Sequence, residues 1–412
     1  MKIGTDQNFH LTYCTNIHPG EEWSKVKANL QEYIPTLKAQ LAPEESFGIG
    51  LRLANVATHE LLQGNTLAEF KSWLEQHNFY VFTLNGFPYG GFHLQVVKDQ
   101  VYAPDWSKQE RVDYTLRLIN ILAELLPTGM EGSISTVPLS YKPWFQGQFS
   151  QVSVFDTVSL HIAQVVAEMV RIRIDTGKLL HLDLEPEPDG LIENATEVVD
   201  YFQTYLLPFG GAYLAKHLGI SQEVGEAYLL EHVRVCYDTC HFAVGYEDPL
   251  SVFKQFQAAG IQIGKIQISA ALQVNIPTDV QQRQQVAKHL QPFAESTYLH
   301  QVIAREPGGK FHHYPDLEAA LPNLENTTAT EWRIHFHVPI FIRDYELMQS
   351  TQDDIVTVLD LLAEYPCSHL EIETYTWEVL PSNMKLDLLA SIQREYEWVL
   401  SCIRNPIHNF DG

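Results

Sequence analysis

The chain has 412 residues, 45% of them hydrophobic, with 51 acidic against 27 basic side chains and a formal net charge of −24. Such a surface repels phosphate backbones, and no Lys/Arg cluster with interleaved aromatics offsets it locally, so nucleic acid is not an expected partner. Five cysteines without paired spacing suit reduced thiols; with no cationic start leading into an apolar stretch and no run of membrane-spanning length, a cytoplasmic protein is predicted.

Short β-rich runs alternate with longer amphipathic patterns along the whole length, the signature of βα units around a parallel sheet. Strands are predicted at 9–14, 47–53, 80–84, 132–137, 179–185, 233–238, 265–269 and 369–373, and helices at 22–41, 66–76, 111–125, 158–173 and 351–365. Eight strands is the count of a (β/α)8 TIM barrel. With no internal repeat, low-complexity tract or flexible linker, the expectation is an α/β fold in which residues 1–412 form a single TIM-barrel domain. Two segments exceed a minimal barrel. Residues 92–102 read as a hairpin after the third strand, and an insertion at 270–344 follows the seventh, containing an extra strand near 333–339.

Strand parity points to the chemistry. In Leu180-His181-Leu182-Asp183-Leu184-Glu185 the leucines take one face, so Glu185 points inward with Asp183 and His181; Leu370-Glu371-Ile372-Glu373 repeats the alternation and puts Glu373 at the same height on the last strand. Carboxylates at the inner C-terminal ends of strands are costly to bury unless a cation or a proton offsets them. Asp238 and His241 stand three residues apart where the sixth strand stops, and a break into a loop there directs an oxygen and a nitrogen to one point. The plainer alternative is an Asp that caps the next helix, with an incidental surface His. His335 and His337 share a face of the inserted strand, so His337 completes a predicted metal set of Glu185, Asp238, His241, His337 and Glu373 for a divalent ion, Zn or Mn. Cys240 is a further soft donor, although a small buried residue is the simpler role. Glu185 and Glu373 are the expected proton-transfer groups, and Asn85, Gln267 and His335 the expected substrate contacts.

These segments resemble those of the xylose isomerase-like TIM-barrel superfamily. Val235-Cys236-Tyr237-Asp238-Thr239-Cys240-His241 is similar to the endonuclease IV segment that carries an Asp and a His metal ligand, and Leu184-Glu185-Pro186-Glu187-Pro188 to the xylose isomerase segment whose Glu binds metal. There a Lys stands where this chain has Glu187, which argues against a xylose isomerase-type hydride shift. The early-strand histidines of the endonuclease group are replaced by Thr83-Leu84-Asn85-Gly86 and Ser133-Ile134-Ser135-Thr136, which argues against a three-metal cluster, and their seventh-strand histidine by Gln267. Across its length the chain also resembles the EboE family of metabolite-traffic proteins. That resemblance lies in Leu11-Thr12-Tyr13-Cys14-Thr15-Asn16-Ile17-His18-Pro19-Gly20-Glu21, Phe82-Thr83-Leu84-Asn85-Gly86-Phe87-Pro88-Tyr89, Ser133-Ile134-Ser135-Thr136-Val137-Pro138-Leu139-Ser140-Tyr141-Lys142 and His335-Phe336-His337-Val338-Pro339. It implies a bacterial secondary-metabolite gene cluster with a membrane prenyltransferase-like partner and a small-molecule metabolite to be moved, and supplies no reaction.

Two functions follow as expectations. One is a metal-dependent isomerase or epimerase of a small polyol, carbonyl or glycosylated metabolite, with hydrolysis as the other chemistry open to the same ligands. The other is a non-catalytic carrier or assembly protein, for which Tyr13, Phe87, Tyr89, Trp144, Tyr375 and Trp377 offer aromatic surface, core packing being the plain alternative for each.

Overall fold

The computed structural model describes residues 1–4, 9–145, 148–381, 385 and 387–404. All eight predicted barrel strands are present: Phe9–Tyr13, Phe47–Arg52, Phe79–Asn85, Gly132–Thr136, Leu180–Leu184, Val233–Asp238, Ile263–Ile268 and His369–Ile372. Each is parallel to its chain neighbour from the second to the seventh, and the eighth lies between the seventh and the first, so the sheet follows the order of a barrel. Between the first and second strands, Thr12 bridges the seam with its hydroxyl: Oγ1 accepts from Gly50 N at 2.8 Å and donates to Gly48 O at 3.1 Å. A two-residue strand, Lys2–Ile3, adds an antiparallel edge to the first strand.

The helices form because their apolar residues recur at three-to-four spacing toward the barrel. In Gln148–Thr176, Val158, Ile162, Val165, Val166, Met169 and Val170 make one buried stripe. Its Ser153–Thr176 portion is long and apolar enough by composition to cross a membrane, contrary to the expectation of no such run, but 56% of that window is buried against the rest of the protein, as a core helix requires.

Two expectations for the loops need correction. Residues 92–102 form no hairpin: Lys98–Tyr102 is a 3-10 helix, and the amides of Val97 and Lys98 both donate to Thr297 O of the insertion, which takes the bonds a hairpin would need. The insertion holds much more than one extra strand. Ala270–Asn275, Val302–Arg305, Phe311–Tyr314, Glu331–Val338, Asp344–Tyr345 and Met348–Ser350 build a six-stranded antiparallel sheet. Its long central strand, Glu331–Val338, carries His335 and His337 to the C-terminal mouth of the barrel.

The barrel interior is unusually polar. Lys265 and Glu371, both fully buried, form an ion pair of 2.5 Å, and Lys265 Nζ also donates to Thr83 Oγ1 and Ser135 Oγ at 3.2 and 3.1 Å. Gly50 makes the room: a Cβ there would stand 1.9 Å from Glu371 Oε1.

Candidate metal centre

The sixth strand ends at Asp238, and the chain turns at once into the short helix Thr239–Val244 rather than into a loop. Asp238 caps that helix, as the plainer alternative held: Oδ1 accepts from Cys240 N at 2.8 Å, His241 N at 3.1 Å and Ser269 Oγ at 2.6 Å. The same carboxylate keeps Oδ2 buried without a hydrogen-bond partner and facing the site. His241, one helical turn on, is buried rather than on the surface, with Nε2 3.8 Å from Asp238 Oδ2. Capping fixes the carboxylate's orientation and leaves its second oxygen available.

Glu185 and Glu373 follow the ends of the fifth and eighth strands, and parity turns both inward as expected. One carboxylate oxygen each from Glu185, Asp238 and Glu373 falls within 4.8 Å of the others. Glu373 is held on one side only: its Oε1 accepts from Asn16 Nδ2 at 2.8 Å, Asn85 Nδ2 at 3.0 Å and Gln267 Nε2 at 3.4 Å. Asn85 and Gln267, expected as substrate contacts, thus orient a carboxylate; Asn85 also lines the cavity above it. Asn16, in the 3-10 turn Thr15–Ile17 after the first strand, was not foreseen.

The three histidines share one hydrogen-bonding pattern. His337 Nδ1 lies 2.9 Å from Glu373 O, His241 Nδ1 3.1 Å from Pro186 O, and His335 Nδ1 2.8 Å from Gln301 Oε1. A carbonyl oxygen can only accept, so each Nδ1 carries the proton and each Nε2 a lone pair. The Nε2 atoms of His335 and His337 are buried with no partner. An N–H anchored on a carbonyl with the opposite nitrogen free is how ligating histidines are oriented. His337 Nε2 reaches within 4.0 Å of Asp238 Oδ2, and Asp238, His241 and His337 bring one ligand atom each within 4.8 Å. Cys240 makes such a group with His335 and His337, and also packs against Val244 and Ala271.

Burial raises the pKa of Glu185, and Asp238 adds to the rise; burial likewise raises Glu373, with Glu185 the main charged neighbour. Burial pushes Asp238 up too, but His241, His337 and the hydrogen bonds from Ser269 and the His241 amide hold its carboxyl below the usual range. Desolvation keeps His241 neutral, its pKa down to about 4, and lowers His337 and His335 as well. Deprotonated imidazoles beside carboxylates with unshared oxygens are a donor set that a divalent cation fits.

Above these groups lies a cavity of about 50 Å³, lined by Glu185, Glu187, His241, His335 and Glu373 and roofed by Phe87, Phe92, Tyr102, Tyr298 and Tyr375. Of the aromatics expected to offer a ligand-facing surface, Phe87 and Tyr375 line this cavity. Tyr13 packs on His18 and Tyr396, Tyr89 on Tyr114, Trp144 donates to Asp99 at the surface, and Trp377 lies under Lys385. Phe92, Tyr102 and Tyr298 were missed, since Phe92 and Tyr298 sit on irregular segments and Tyr102 ends a short 3-10 turn, none of which has a period that fixes a side chain's direction. A larger hollow of about 1020 Å³, lined by Phe9, Glu131 and Gly264, opens at the opposite end of the barrel, away from the clustered donors.

The backbone is shared with solved proteins. A xylose isomerase-like TIM barrel protein from Mycobacterium smegmatis, in complex with magnesium, matches with a TM-score of 0.50 at 9% identity over 98% of this chain and 100% of the other. The fold is xylose isomerase-like. The zinc-bound IolI protein gives 0.47 at 12% identity over 96% and 98%, and the 3-keto-D-glucoside 4-epimerase YcjR from E. coli 0.44 at 10% over 96% and 100%. No protein-family model matches the sequence, and no curated protein does. At such identities the likeness concerns the fold alone.

Proposed function

We propose that the protein is a divalent-metal-dependent isomerase or epimerase of a small polyhydroxylated carbonyl compound. The observation that carries this is the convergence of Glu185, Asp238 and Glu373 with His241 and His337 at the barrel mouth, each with a ligand atom left over after its structural hydrogen bonds. Glu185, Asp238, Glu373 and His337 would hold the ion, with His241 adjacent. When bound, the cation supplies Lewis acidity toward neighbouring ligand oxygens. Glu185 and Glu373 face the cavity with raised proton affinity, so either can take a proton from a carbon next to a carbonyl and return it. Asn16, Asn85 and Gln267 keep Glu373 from rotating away while it does so. The aromatic roof excludes water from the exchange.

The magnesium of the M. smegmatis protein supports this reading by fold analogy. A second reading, a carrier that hands a metabolite to a membrane prenyltransferase-like partner, is favoured by the EboE resemblance and by a small cavity lined with aromatics.

Solvent-exchange NMR in deuterium oxide, on a panel of ketoses and inososes with manganese or zinc added, tests the enzyme. The expected result is deuterium incorporated next to the carbonyl, lost in Glu185→Gln with binding retained. Saturable binding with no exchange by the wild-type protein would favour the carrier; no ion recovered with the purified chain would sink the metal-dependent reading.

A further inference from the structure

The atoms left without a partner around the cavity are all of one kind. Among the described residues that line it, four buried side-chain atoms are left over: Asn16 Oδ1, Glu185 Oε2, Glu187 Oε1 and His335 Nε2. Asn16 turns its amide nitrogen to Glu373 Oε1 at 2.8 Å, so its oxygen is the atom that stays free. His335 is fixed through Gln301, whose Nε2 donates to Pro188 O at 3.1 Å and whose Oε1 therefore faces His335 Nδ1 at 2.8 Å; Nδ1 carries the proton and Nε2 a lone pair. With the carboxylates ionised, all four atoms accept hydrogen bonds and none donates.

The shortage is greatest at Glu187, which the proposed reaction does not use. It is buried, and its Oε2 stands 3.6 Å from His241 Nε2, another lone pair because His241 Nδ1 is held on Pro186 O at 3.1 Å. The hydroxyl of Tyr102 is a hydrogen-bonding neighbour of this carboxylate, but a phenol offers one proton and no charge. An ion held by Glu185, Asp238 and Glu373 has its own three carboxylates to offset, and the one lysine among the described residues of the cavity wall, Lys98, is engaged by Asp316 at 2.6 Å and by Glu295 O at 3.2 Å. A buried carboxylate without a counter-charge is costly. A phosphate or a carboxylate in the cavity would set acceptors against acceptors, and a hydroxyl would bring one proton and leave the charge. An ammonium brings three donors and cancels it. The five aromatic side chains that complete the wall favour the same choice, because an aromatic ring attracts a cation through its quadrupole.

We infer that the substrate carries an ammonium group, received by Glu187 against the aromatic wall, so that the compound handled is an amino-bearing carbonyl compound and not a phosphorylated one. The inference rests on the metal-dependent reading above and names the substrate class for the same site. Size sets a further bound: at about 10–15 Å³ for each enclosed water, a cavity of about 50 Å³ has room for about three to five of them, so the group received here is a small one.

The test is a pair of ligands matched in size, aminoacetone and hydroxyacetone, titrated calorimetrically into the magnesium-loaded protein at about pH 7. Magnesium takes oxygen ligands, so a preference for the nitrogen compound does not arise from coordination. The expected result is aminoacetone bound at least about tenfold more tightly, as hydrogen bonds to a charged group provide. The preference should vanish in Glu187→Gln while the affinity for hydroxyacetone stays, with circular dichroism as the folding control. Equal affinities, tighter binding of hydroxyacetone, no binding of either compound, or a preference that survives in Glu187→Gln overturns the inference. If Glu187→Gln does not fold, the wild-type comparison decides by itself. Elemental analysis of the protein as purified reads the metal centre separately: an ion without the amine preference overturns this inference and leaves the metal-dependent reading standing, and the amine preference without an ion does the reverse.

Discussion

Replacing Lys265 by Met tests whether the barrel interior is organised as described. The ammonium and the Glu371 carboxylate are fully buried and 2.5 Å apart. At an effective dielectric of 20 their attraction is about 7 kcal/mol. Desolvation of the two ions costs several kcal/mol each, so the intact pair adds little net stability. Removing one partner is another matter, because the Glu371 anion then stays in the barrel with no counter-ion, at a cost of about 3–5 kcal/mol. With an unfolding entropy near 2.1 cal/mol/K per residue over 412 residues, this amounts to a melting temperature about 3–6 °C lower. Glu371→Gln should cost a similar amount by stranding Lys265. The double variant Lys265→Met/Glu371→Gln should recover most of the loss, giving a coupling of several kcal/mol in a double-mutant cycle followed by urea denaturation. Strictly additive losses, or a Lys265→Met cost below about 1 kcal/mol, would refute the claim that these two charges face each other inside a dry barrel.

Two further perturbations follow from named contacts. Gly50→Ala places a Cβ 1.9 Å from Glu371 Oε1 and 2.8 Å from the backbone oxygen of Tyr13, which cannot give way, so a loss of about 1–3 kcal/mol is expected in thermal or urea unfolding. Glu395 is buried, accepts from Thr374 Oγ1 at 2.7 Å, and has its pKa pushed up by burial to about 7. The folded state therefore holds a proton there that the unfolded chain gives up near pH 4.5, so this group makes stability fall as pH rises from about 4.5 to 7, and the penalty is complete above 7. Glu395→Gln should remove it, raising stability at pH 8 by up to about 3 kcal/mol with little change at pH 4; equal gains at both pH values would contradict the assignment.

What sequence reading recovered is what period-two alternation determines. The leucines of 180–184 fix which way Glu185 points, and Leu370 and Ile372 do the same for Glu373, so both inward carboxylates were legible from the alternation alone. Asp238 was legible by its place at a strand end, although cap and metal ligand were posed as alternatives, whereas one oxygen makes the cap and the other is left without a partner, so the two roles do not compete. Residues outside regular elements were not legible. Asn16 lies in a 3-10 turn and Glu187 follows Pro186 in a loop, where no period fixes a side chain's direction. Most of the inserted sheet was invisible for a related reason: Phe311–Tyr314 is exposed on nearly every residue and Asp344–Tyr345 is only two residues long, so neither shows the one-sided burial that marks a strand.

The insertion is better understood as part of the site than as an appendage to it. The seventh strand offers Gln267, whose amide is already committed to Glu373, so the barrel proper has no imidazole to give from that side. The inserted strand Glu331–Val338 fills the gap, and a register irregularity between Ile334 and Val338 bends it where the two histidines lie. Two residues apart on one strand, His335 and His337 would ordinarily aim alike. Here His337 is anchored on Glu373 O of the eighth barrel strand's end and His335 on Gln301 of the insertion, so the two rings have different neighbours, Asp238 for His337 and the His241 ring and Glu187 for His335. Because His337 takes its anchor from the carbonyl of one carboxylate residue and faces another, any displacement of the inserted sheet disturbs the spacing of the clustered donors, which ties the geometry of the mouth to the docking of a segment remote in sequence from Glu185 and Asp238.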